Sequence, residues 1–142
     1  MSGYIYAIAA AVTWGLVYVI NAKILNWIDP LPLLFLESVI TAAITFPFLL
    51  GQWNSAYKAM SSGGTFWTFL IFGELLITVA NYFILSSVQH LGAPLAAAIE
   101  ISYPLFVALF TAILFGGSLN LWFWFGTALI FSGSVIIMKF AQ

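Results

Sequence analysis

The chain has no cysteine and no arginine, and charged residues make up 5% of it, against about 25% in an ordinary soluble domain. Without cysteine there are no disulfides and no thiol chemistry, and the redox compartment cannot be read. The net charge of −1, with no basic cluster, argues against nucleic acid as a partner and against a polybasic site for lipid headgroups. There is a single histidine, His90, and no His-x-x-x-His pair, cysteine cluster, Gly-rich phosphate loop or Ser–His–Asp set. The residues therefore supply no basis for an enzyme, a metal centre or a cofactor. So few charges could not cover a soluble fold, which leaves the bilayer as solvent.

Hydrophobic residues make up 64% of the 142, gathered in five runs: Tyr4–Leu25, Pro32–Leu50, Phe66–Val88, Pro94–Phe115 and Leu121–Phe140. Each run holds about 19–23 residues, and roughly 20 suffice to cross a hydrocarbon core of about 30 Å. The expected fold is an all-α membrane protein of five transmembrane helices, with residues 1–142 forming one domain. The first run is too long for a signal core, and Met1-Ser2-Gly3 before it carries no lysine, so it is expected to be a retained helix. Short connections, Asn26–Leu31, His90–Ala93 and Gly116–Asn120, make successive helices antiparallel neighbours. Only Gly51–Thr65 is longer, a loop whose Trp53 and Tyr57 suit the headgroup level.

An odd number of spans puts the two termini on opposite faces, so a second copy related by an in-plane two-fold axis would make an inverted repeat. Lys23, His90 and Lys139 fall on one side, Lys58 and the N-terminal amine on the other, a weak bias that allows insertion both ways. The expected partner, besides the lipid bilayer, is a second copy in inverted orientation as a homodimer, or other membrane subunits.

Three acids interrupt the apolar runs, and an acid at membrane depth costs several kcal/mol unless it meets water, a partner or a proton. Glu100 stands about one turn into the fourth run. Pro104 has no N–H to give the Glu100 carbonyl, so the backbone breaks beside the acid, and Tyr103 lies one turn on. Glu74, Thr78 and Asn81, at i, i+4 and i+7, stripe one face of the third run, with Glu74 roughly 12 Å inside Phe66. Glu37 is nearer an interface, where its side chain can reach water. In the first run Trp14, Tyr18 and Asn21 form another such face, and Trp14 is a candidate to meet a cationic solute. The competing role for each of these groups is interhelical hydrogen bonding or packing alone. Ala7-x-x-x-Ala11-x-x-x-Gly15, Ala108-x-x-x-Ala112 and the pair Gly126 and Gly133 suit close helix approach.

Asn81-Tyr82-Phe83, then Gly92-Ala93-Pro94-Leu95-Ala96-Ala97-Ala98, Tyr103-Pro104-Leu105-Phe106, Gly126-Thr127-Ala128-Leu129-Ile130 and Gly133-Ser134-Val135-Ile136-Ile137 follow in the order and spacing of a known family. The chain resembles an EamA-type domain of the drug/metabolite transporter superfamily. The resemblance implies an EamA-like half-transporter bundle and a solute pathway between helices, usually built from two inverted five-helix halves. The family commonly has a Glu in the turn after its fourth helix, where this chain reads Phe115-Gly116-Gly117-Ser118, and often an Arg near the place of Glu37.

The expectation is thus a transporter subunit, not an enzyme, that moves a small metabolite or amphipathic cation across the prokaryotic inner (plasma) membrane. Protons would couple the movement through Glu100, Glu74 or both. The rival is a non-transporting accessory subunit packed in a larger membrane complex.

Overall fold

In hydrocarbon every backbone N–H and C=O must find its partner within its own segment, so long apolar runs become helices. The computed structural model describes residues 2–117 and 119–140; Met1, Ala141, Gln142 and Ser118, from the expected Gly116–Asn120 turn, lie outside the described residues. Among those described there are seven helices and no strand: α1 (Ser2–Ile24), α2 (Pro30–Gly51), α3 (Trp53–Met60), α4 (Gly64–Leu91), α5 (Ala93–Glu100), α6 (Tyr103–Phe115) and α7 (Leu121–Phe140). They supply five stretches long and apolar enough to cross a membrane: Gly3–Ile24, Pro30–Gly51, Gly64–Leu91, Ala93–Phe115 and Leu121–Phe140. The fold is all-α with five spans, and the protein is an integral membrane protein.

Boundaries shift for local reasons. α2 starts two residues earlier than expected because Asp29 is extended and Pro30 and Pro32 fill the first turn, where a missing N–H costs little. The segment between the second and third spans is no plain loop. It contains α3, in which Trp53, Ala56, Tyr57 and Met60 share one face and Asn54 and Lys58 stand opposite. The Trp67 indole N–H donates to the Met60 carbonyl at 3.1 Å, tying the end of α3 to the start of α4. The fourth span breaks into α5 and α6 at Ile101–Ser102, with Pro104 in the first turn of α6.

The chain divides into two compact units, Met1–Lys23 with Ser87–Gln142, and Ile24–Ser86. In the first, α7 packs against α5 and α6. Small residues allow the approach: Ala93, Ala96, Ala108, Thr127 and Ser134 are all buried. The seam on α7 is therefore Thr127 and Ser134, not the expected Gly126 and Gly133. A β-carbon added at either glycine would meet nothing within 4 Å. Both hydroxyls are bonded inside α7, Thr127 to the Trp124 carbonyl at 3.0 Å and Ser134 to that of Ile130 at 3.1 Å, so they pack without bonding a neighbour. The expected Ala7, Ala11 and Gly15 stripe on α1 is exposed. Asn120 caps the start of α7: its side-chain oxygen accepts the Phe123 N–H at 2.9 Å.

Gly92 joins α4 to α5 with φ 78° and ψ 159°, a region essentially closed to residues with a β-carbon. Gly92→Ala is expected to cost about 1–3 kcal/mol through backbone strain alone. Space is not the issue, since the nearest atom to an added β-carbon is Pro94 Cδ at 4.0 Å. Thermal unfolding in detergent checks this; an unchanged midpoint would remove the strain argument.

In the second unit α3 lies against the end of α2, and Leu33, Leu34 and Leu85 are buried. Between α2 and α3 runs an open groove of about 630 Å³, lined by Ala42, Phe46, Leu49, Gln52, Ser55 and Ala59 among others. Its walls are mainly apolar, with Thr45, Gln52 and Ser55 the polar groups, and no charged side chain lines it.

Candidate functional site

α1 is apolar nearly all round, as a membrane span must be, and places Trp14, Tyr18 and Asn21 on one face by its 3.6-residue period. Tyr18 is only 7% exposed and Asn21 is also buried, whereas Trp14 is 55% exposed. The Trp14 and Tyr18 rings meet edge-to-face with centroids 6.4 Å apart, a favourable aromatic geometry. Tyr18 is thus clamped at its ring, and its O–H is left to find an acceptor, as a buried phenol must.

That acceptor is Glu100. The Tyr18 O–H donates to Glu100 Oε2, across 82 residues of sequence. Glu100 is the last residue of α5, and the broken backbone continues past it: the Ser102 N–H and Oγ both reach the Ile99 carbonyl, at 3.2 and 2.8 Å. Pro104 occupies the position whose N–H would otherwise have closed the turn on Glu100. The result is a carboxylate at membrane depth held by one neutral donor from another helix. Glu100 itself remains exposed. Tyr103, expected beside Glu100, is 57% exposed at the start of α6; the phenol that bonds the acid is that of Tyr18.

The other candidate residues lie in the second unit. Glu74 is exposed and Asn81 half-buried along one face of α4, and Glu37 is half-buried on α2. Glu74 stands about 15 Å along α4 from Gly64, so its exposed carboxyl needs water or another protein surface rather than lipid. Among the described residues no cluster of three His, Asp or Glu could hold a metal ion.

Tyr18 is the site residue that sequence reasoning placed only in an aromatic stripe. The i, i+4, i+7 pattern with Trp14 and Asn21 finds its face. Nothing local tells which acid that face will meet.

No curated protein and no solved structure matches the chain significantly. The model of the EamA-like transporter family matches residues 1–139. That family consists of transporters, in keeping with the absence of enzyme motifs. Five spans, a proline-broken fourth span and a match over nearly the whole length lead to one conclusion: the chain belongs to the EamA-like transporter family.

Proposed function

We propose that the chain is a half-size solute carrier that works as an antiparallel pair in the prokaryotic inner (plasma) membrane. It moves a small metabolite or an amphipathic cation, and Glu100 and Glu74 take up and release the coupling protons. The 142 residues act as one five-span domain, one half of the inverted architecture. The observation that carries this reading is the Tyr18–Glu100 bond at a broken span: an acid with a single neutral donor and an exposed side can exchange its proton. Pairing is supported by Glu74, exposed in the middle of α4. It is supported too by the spans themselves, of which 6–11% of residues are buried within a single chain.

The test is solute uptake into liposomes containing the purified chain alone, driven by an imposed pH gradient. A chain that transports nothing, and purifies only with foreign membrane subunits, would be the accessory subunit instead.

The antiparallel pair makes its own prediction. Ser62, between α3 and α4, and Asn26, between α1 and α2, are exposed at opposite ends of the spans. Single cysteines at each are expected to be partly labelled by an impermeant thiol reagent on intact cells. Labelling of only one of the two would exclude dual insertion while leaving the carrier reading in place.

A further inference from the structure

The Tyr18–Glu100 bond joins a held donor to an exposed acid. Tyr18 is buried and braced by the Trp14 ring. Glu100 closes α5, is followed by a turn rather than by more helix, and is exposed even while bonded. A phenol offers the carboxylate one neutral donor. An ammonium offers up to three donors and a full positive charge, so it adds Coulomb attraction to hydrogen bonding where the phenol supplies a single hydrogen bond. A cation reaching Glu100 therefore outcompetes the phenol, and the phenol returns when the cation leaves. Trp14, one turn from Tyr18 and exposed, presents an aromatic ring to the same cation.

We infer that Tyr18 is a displaceable internal ligand of Glu100, and that a solute takes its place by bringing a cationic nitrogen. The inference rests on Glu100 being the carrier's binding carboxylate. Tyr18 is then a positioning residue: it holds the carboxylate between solute visits and sets the threshold that an incoming group must exceed. Neutral metabolites do not reach that threshold. Among the classes open to the carrier, the inference selects organic ammonium compounds with an apolar tail.

The test uses the full chain in liposomes and dicyclohexylcarbodiimide, an apolar reagent that adds to protonated carboxyls, with each acid followed by peptide mass. Tyr18→Phe keeps the ring and removes the donor. It is expected to raise the labelling rate of Glu100 about tenfold, the equivalent of about 1.4 kcal/mol. Glu37 and Glu74 in the same molecules should label as before, which a merely loosened fold would not allow. N,N-dimethyloctylammonium, whose tertiary nitrogen cannot form an amide with the activated carboxyl, should protect Glu100 in both proteins, and at about tenfold lower concentration in Tyr18→Phe. Equal labelling rates, or equal protection of the two proteins, would overturn the inference. If Tyr18→Phe fails to fold, the unaltered chain decides: protection by N,N-dimethyloctylammonium but not by octyl methyl ether supports displacement by a cation, and equal protection by both overturns it. Normal transport by Glu100→Gln would instead remove Glu100 as the carrier's binding carboxylate, the premise on which the inference rests.

Discussion

Glu100→Gln is expected to abolish proton-coupled flux while the protein stays folded, since an amide has no ionisable proton with which to couple transport. Glutamine keeps the length and the acceptor oxygen of the side chain, so the Tyr18 O–H still has a partner. The stability change is expected to stay near the net value of one hydrogen bond, about 1 kcal/mol. The amide cannot exchange a proton, and that is the property under test. Flux in liposomes under a pH gradient, with thermal stability followed in parallel, separates the two. Glu37→Gln serves as the comparison: Glu37 has the same chemistry, is half-buried, and is expected to cost severalfold at most. Full transport by Glu100→Gln would reduce Glu100 to a tie between α1 and α5.

A loss of stability as large as that of Gly92→Ala is expected from overpacking at Ala108. Its side chain is 0% exposed, on α6 where α6 packs against α7. Adding three carbons there, as in Ala108→Leu, must push the helices apart or twist the new side chain off its rotamer, at a cost of about 1–3 kcal/mol. Gly126→Ala is the control. It adds a carbon to a helix of the same unit at a site where nothing lies within 4 Å, and the midpoint is expected to hold or rise slightly as a helical glycine is removed. Equal shifts for the two variants would show that the α6–α7 seam is not the tight contact. Thermal unfolding in detergent provides the readout.

The sequence made the spans legible because membrane depth imposes a length and a composition that can be read residue by residue. The break after Glu100 was legible for the same reason, since Pro104 acts on a carbonyl four residues away. α3 escaped notice because eight residues span little more than two helical turns, too few for a period to stand out from a loop with anchoring aromatics. The α7 seam was misread by one step: Gly126/Gly133 and Thr127/Ser134 have the same spacing of seven, and spacing alone does not fix which phase faces the neighbouring helix. Tyr18 and Glu100 lie farther beyond local rules. Each was visible as polar in an apolar run, yet their meeting depends on the register between two helices 82 residues apart.

The hydroxyls carry a consequence for how the protein is made. Thr13, Ser38, Thr45, Thr68, Thr127, Ser132 and Ser134 all donate to carbonyls of their own helices. These seven groups need no later helix to satisfy them as their spans enter the bilayer. Tyr18 is different, because its acceptor is synthesised 82 residues later. At about 5–20 residues per second, the nascent first span waits roughly 4–16 seconds with its phenol unsatisfied. During that interval the phenol needs another acceptor, and the ribosome's pace over the second and third spans sets for how long.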